Sequence, residues 1–243
     1  MAGHSKWANI QHRKKAQDAK RGKLFTKLIR EIVVATKEAG PDKDTNPRLR
    51  LAIDKAFQGN MTRDTVEKAI ARGAGNQDDS QFFEVVYEGY APHGIAVLVQ
   101  CLTDNRNRTV GEVRHIFNKY GGNLGTEGSV SYLFNTQGMI VIENNGIDPE
   151  VLVDKAIALG AEDFETADAH TYVYTSREDF NVIYAELQKD YTVAHAAITR
   201  IPENKLMLTS EQVETIHTLV DKLEDLDDVQ DVFTNLADDE TTP

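Results

Sequence analysis

From Leu24 onward, apolar residues return at helical spacing. Leu24, Phe25, Leu28, Ile29, Ile32 and Val33 share one face of a helix that Gly40-Pro41 ends. At about 100° per residue, Lys20, Lys23, Lys27 and Arg30 gather on the opposite side, so the pattern predicts one face that packs and another that offers cations. The preceding piece, 10–21, has only Ile10, Ala16 and Ala19 to bury and reads as a polar arm or a helix that frays until an anion orders it. Asn46-Pro47 reads as an N-cap plus first-turn proline for a second helix, with Leu49, Ala52, Ile53, Ala56 and Phe57 inward. Thr62 opens a third helix to about Arg72, with Met61 and Val66 as a hydrophobic staple and Gly73 as a left-handed terminator. Three short amphipathic helices of this kind can bury one another.

After the Gly/Asn/Asp-rich stretch 73–80 the period changes to two. Phe83–Tyr87 and Ile95–Leu102 read as strands joined through 89–94, a helix follows Asn105–Arg108 with Val110, Val113, Ile116 and Phe117 inward, and Val130–Phe134 reads as a returning strand. Residues 139–142, 149–159, 164–166, 171–174, 180–187 and 194–201 then read as βαββαβ, the ferredoxin-like order. A helix capped by Ser210 and a strand at Val229–Phe233 complete the chain. A lone αβ pair cannot close a core, whereas ββαβ plus αβ makes a four-stranded layer with two helices. The expected fold is therefore α+β and multidomain. A basic three-helix domain spans 1–79, an α+β domain is formed by 80–134 with 207–237, a ferredoxin-like domain at 135–206 is inserted in it, and 238–243 is an acidic tail.

Charge changes this picture most. Over the 243 residues the net charge is −12, yet up to Gly75 there are seventeen Lys/Arg and eight Asp/Glu, about +9, and beyond it ten and thirty-one, about −21. A polyanion would be drawn to one end and repelled by the rest. The single cysteine, Cys101, excludes an internal disulfide and a multi-cysteine zinc site, and as part of a strand it reads as a buried, inert thiol suited to a reducing, cytoplasmic setting. No apolar run approaches the roughly 18 residues of a membrane span, so no membrane partner is expected.

The candidate nucleic-acid contacts are Lys6, Trp7, His12, Arg13, Lys14, Lys15, Lys20, Arg21, Lys23, Lys27 and Arg30, with Trp7 placed to stack on a base or to dock the arm. The alternative is a basic helix that is merely solvated. In Thr103–Thr109, Asn105, Arg106, Asn107 and Arg108 open a helix and form a candidate anion site for phosphate or carboxylate, or an internal ion pair with a neighbouring acid. The acids at 221, 224, 225, 227, 228 and 231 read either as a solvated face or as a docking surface for a basic protein partner. The seven histidines lack metal-binding spacing, no phosphate loop or catalytic constellation is present, and neither a cofactor nor enzymatic chemistry is expected.

Several segments together resemble the YebC/PmpR family, which is related to the mitochondrial translational activator of cytochrome c oxidase. They are Met-Ala-Gly-His-Ser-Lys-Trp at 1–7, Asn-Pro-Arg-Leu-Arg-Leu-Ala-Ile-Asp-Lys-Ala at 46–56, Tyr-Glu-Gly-Tyr at 87–90, Thr-Asp-Asn-Arg-Asn-Arg-Thr at 103–109 and Leu-Glu-Asp-Leu-Asp-Asp-Val-Gln at 223–230. The resemblance runs nearly end to end and implies three domains, the third inserted in the second. It also implies a cytoplasmic DNA-binding transcriptional regulator, or alternatively a translation factor that grips ribosomal RNA or tRNA. An enzyme using the anion site near Arg106 and Arg108 ranks last, because no acid, base or nucleophile is assembled beside it. The oligomeric state is left open.

Overall fold

The computed structural model describes residues 21–75, 81–167 and 169–237, the side chain of Arg21 excepted. These residues fall into two compact units, one from 21–133 and 204–237, the other from 134–203. The fold is α+β, with an N-terminal helical region and two four-stranded antiparallel sheets.

Helices α1 (Arg21–Ala39), α2 (Pro47–Gln58) and α3 (Arg63–Ala74) close around Ile32, Val33, Leu49, Ala52, Ile53, Ala56, Met61, Val66 and Ala69. Asn46 ties the first two together. Its Oδ1 accepts from the Leu49 N–H at 3.0 Å, while its buried amide donates to Ala35 O at 2.8 Å and Gly40 O at 2.9 Å. One side chain thus starts α2 and ties it to carbonyls in and just after the last turn of α1. Gly73 is not the predicted left-handed terminator. It lies within α3, where a Cβ would come 2.7 Å from Thr36 Cβ and Val33 O, so its bare backbone is what allows α3 to press against α1.

Strands β1 (Phe83–Tyr90) and β2 (Ala96–Thr103) form a hairpin, followed by α4 (Arg106–Lys119) and the two-residue β3 (Asn123–Leu124), which pairs with β1. The strand expected at Val130–Phe134 does not return to this sheet. The Glu88 carboxylate accepts from the N–H groups of Gly128 (2.9 Å), Val130 (2.8 Å) and Ser131 (2.8 Å), taking the donors that a ladder would need, and 131–133 forms a 3₁₀ turn.

The chain then builds the second unit from β4 (Phe134–Glu143), α5 (Pro149–Ala158), β5 (Asp163–Thr166), β6 (His170–Thr175), α6 (Phe180–Leu187) and β7 (Val193–Pro202). Its sheet order, β5-β6-β4-β7 with every neighbour antiparallel, is the ferredoxin-like arrangement. Returning to the first unit, α7 (Ser210–Glu224) is capped by Thr209, one residue before the expected Ser210, and β8 (Val229–Thr234) pairs with β2 to give the order β3-β1-β2-β8. Helices α4 and α7 cover this sheet through Val113, Ile116, Phe117, Val213, Ile216, Leu219, Val220 and Leu223.

Candidate nucleic-acid interface

A single carboxylate organises the surface where the predicted cations fall. Asp228, just ahead of β8, is 3% exposed and receives donors from three separate stretches of chain. Arg30 reaches its Oδ1 at 2.8 Å; Arg108 (2.7 Å), Thr109 Oγ1 (2.7 Å) and Thr103 Oγ1 (3.0 Å) converge on its Oδ2. Burial alone would raise its pKa, but the bonds from Arg108, Thr109, Thr103 and Arg30 hold it below the usual carboxylate value. Asp228 is therefore a buried anion with its charge and lone pairs satisfied, the condition under which such a group is tolerated.

The basic face of α1 turns toward this centre and toward the end of α7. Arg30 also donates to the carbonyls of Leu102 (2.8 Å) and Asp227 (3.0 Å), and its guanidinium lies 5.3 Å from the Phe82 ring centroid. Lys27 donates to Glu224 O at 2.6 Å and Lys23 to Asp225 O at 2.8 Å. These are carbonyls at the C-terminal end of α7, where the helix leaves acceptors unsatisfied and concentrates partial negative charge. Half-buried Lys27 has a lowered pKa, because desolvation outweighs the pull of Glu224, Asp231, Asp227 and Asp225. Arg48 extends the seam with ion pairs to Glu31 (2.7 Å), Glu38 (2.7 Å) and, on β1, Glu84 (2.5 Å). The face expected to offer Lys23, Lys27 and Arg30 to solvent thus docks the helical region on the α+β layer. Of the acids around 221–231, Asp228 pairs through its carboxylate with cations of this same chain, while Glu224, Asp225 and Asp227 are met through their backbone carbonyls.

The predicted anion site is likewise filled from within. Asn105 caps α4, its Oδ1 accepting from the Arg108 N–H at 3.1 Å. Arg108 is committed to Asp104 (2.8 Å) and Asp228, which is the internal ion pair read as the alternative. Arg106 lies over the Phe83 ring at 4.4 Å and Asn107 is exposed. Both remain at the surface, while the Arg108 charge is balanced.

Lys6, Trp7, His12, Arg13, Lys14, Lys15 and Lys20 lie outside the described residues, and of Arg21 only the backbone, as the first residue of α1, is described. The residues that sequence reasoning missed are the two buried carboxylates, Asp228 and Glu88. Both sit inside segments that carry the family resemblance, but acidity alone gave no hint of burial. Cys101 is buried and its thiol is pushed up to about 12 by desolvation, which disfavours the thiolate form. Among the described residues no group of His, Cys, Asp and Glu could hold a metal ion, and no helix is long and apolar enough to cross a membrane.

Residues 5–76 match the family model described as the TACO1/YebC protein N-terminal domain, and residues 82–236 match that of the TACO1/YebC second and third domain. A "probable transcriptional regulatory protein" of Idiomarina loihiensis is 52% identical over 237 residues, 97% of this chain and 95% of that one. A protein of the same description from Photobacterium profundum is 53% identical over 237 residues, covering 97% and 96%. Among solved structures, a conserved hypothetical protein of Aquifex aeolicus superposes with a TM-score of 0.81 at 46% identity, covering 90% of this chain and 91% of that one.

Proposed function

The chain belongs to the TACO1/YebC family, and we propose on that footing that it is a regulator of transcription that binds DNA through its basic N-terminal region and performs no covalent chemistry. The observation that carries this reading is where its positive charge remains. Lys23, Lys27, Arg30 and Arg48 are engaged inside the molecule, whereas residues 1–20 hold five Lys/Arg against the single acid Asp18. A body of about −21 beyond Gly75 repels a polyanion, so the cationic end faces it and phosphates supply the affinity. Relatives named as transcriptional regulators agree with this role, and the buried thiol suits the reducing cytoplasm.

One observation favours a second reading. Neither α2 nor α3 carries the paired Arg/Asn side chains that read base edges in the major groove. Contacts limited to the backbone suit structured RNA on the ribosome as well as DNA. Replacing Lys14, Lys15 and Lys20 together by Gln is expected to lower the slope of log K against log salt by about 0.7–0.9 per lost phosphate contact. Co-sedimentation from one lysate with chromosomal DNA or with ribosomes, at two salt concentrations, decides between the polymers. An unchanged slope on both would end the nucleic-acid reading.

A further inference from the structure

The acidic body has one surface that departs from its charge. Of the ten Lys/Arg beyond residue 75, four fall in the fourteen residues of α4 (Arg106, Arg108, Arg114 and Lys119), beside a single acid, Glu112. Thr109, Val113, Ile116 and Phe117 face the core. At about 100° per residue this turns Asn107, Gly111, Arg114, His115, Asn118 and Lys119 outward, and all six are exposed.

We propose that this outward face of α4 is a phosphate-binding strip, a second contact for the nucleic acid that the N-terminal region holds. It rests on the function proposed above and extends it to the body of the molecule. Three further observations support it. Exposed Lys68 and Lys189 elsewhere in the molecule are paired, with Asp64 (2.7 Å) and Glu186 (2.5 Å). Arg114 makes no ion pair or hydrogen bond among the described residues, and Lys119 makes only a ring contact, with Tyr120. Cations left unpaired among so many carboxylates form a local positive field that suits a polyanion.

Gly111 sits in the middle of the strip with nothing within 4 Å of where its Cβ would be. A glycine weakens a helix and no packing demands this one, so what it provides is a flat spot where a sugar-phosphate backbone can approach closely. Asn107 and Asn118 flank it with amide donors of the kind that bind phosphate and sugar oxygens. From Asn107 to Lys119 the strip is about 18 Å long, enough to follow several nucleotides. It starts where the helical region docks, because Arg108 of α4 and Arg30 of α1 hold opposite oxygens of Asp228.

The test titrates the full chain with duplex DNA and, separately, with a ribosomal RNA fragment over a range of salt. Arg114→Gln combined with Lys119→Gln is expected to lower the salt slope by about 1.4–1.8 and to weaken binding at least tenfold at moderate salt. Gly111→Glu, whose side chain points into open space, is expected to keep the wild-type circular dichroism spectrum and to weaken binding comparably. Arg177→Gln with Lys189→Gln removes the same charge from the second unit and is expected to leave the slope unchanged. If the α4 variants bind like that control while the Lys14/Lys15/Lys20 variant loses affinity, the strip is refuted and the function stands. If the wild-type chain binds neither polymer, both fall.

Discussion

Helices α1 and α4 carry the same kind of side chain to opposite ends. On α1, Lys23, Lys27 and Arg30 are drawn to the carbonyl end of α7 and to Asp228, so a run of cations has become an internal clamp. On α4, Arg108 joins that clamp, while Arg114 and Lys119 stay outside. The difference lies in what tertiary structure brings within reach, a helix C-terminus and a buried carboxylate in one case and water in the other. A count of positive residues along a helix therefore says little about ligand binding until the acceptors folded against it are known.

Removing the acceptor would break this contrast with the largest effect. Asp228→Ala leaves Arg30 and Arg108 facing a space without charge, and breaking a buried pair of this kind costs about 3–5 kcal/mol. Because Arg108 is 43% exposed and can turn to water, the lower end is expected, about 3 kcal/mol. Urea unfolding at neutral pH measures it, and a loss below about 1 kcal/mol would show that the centre does not hold the helical region in place. The pH dependence has a definite sign. The folded-state pKa of Asp228 is depressed, so its contribution is complete above the unfolded carboxylate value of about 4 and is lost as pH falls through the folded value. The gap in stability between wild type and Asp228→Ala should accordingly narrow as the pH is taken from 6 to 2.

A smaller effect is expected where a cation's hydrogen bond goes to a carbonyl and the carboxylates act on it only at a distance. Lys27→Met keeps the apolar stem packed and removes one bond to Glu224 O. The loss is expected to be about 0.3–1 kcal/mol, the range for a charge at a helix end, and thermal unfolding beside Asp228→Ala would rank the two. A Lys27→Met loss as large as that of Asp228→Ala would shift the weight of the clamp from the carboxylate to the end of α7.

Where the fold was legible, the information was local. Helical spacing marked α1 and Asn46-Pro47 marked the start of α2, and the strand and helix order of the second unit emerged from alternation and caps. The clamp was not legible. Arg30 and Asp228 are 198 residues apart, and a helical wheel that puts Arg30 opposite the three-helix core has no way to show that a second layer covers that side. The short β3 escaped notice for a related reason. Its neighbouring loop is shaped by Glu88, a buried acid whose three partners are backbone N–H groups that carry no sequence signature. Gly73 and Gly111 show the same ambiguity, one needed for close helix packing and the other free of any contact, though both read simply as glycine.

Gly111 offers the smallest and most selective test of the contrast. Gly111→Ala adds a methyl group to open space on a regular helix, and the reduced freedom of the unfolded chain should stabilise the protein by about 0.5–1 kcal/mol. Thermal unfolding reads the gain, and salt titration with nucleic acid reads the other side. If the position is only a solvated one, the variant gains stability and binds unchanged, and glycine there has no role in recognition. If the flat spot admits a backbone, the same variant gains stability yet loses affinity, by less than Gly111→Glu. A substitution that improves the fold while weakening binding cannot be explained by damage to the fold, which is how it separates an outward helix that serves a ligand from an inward one that serves the structure.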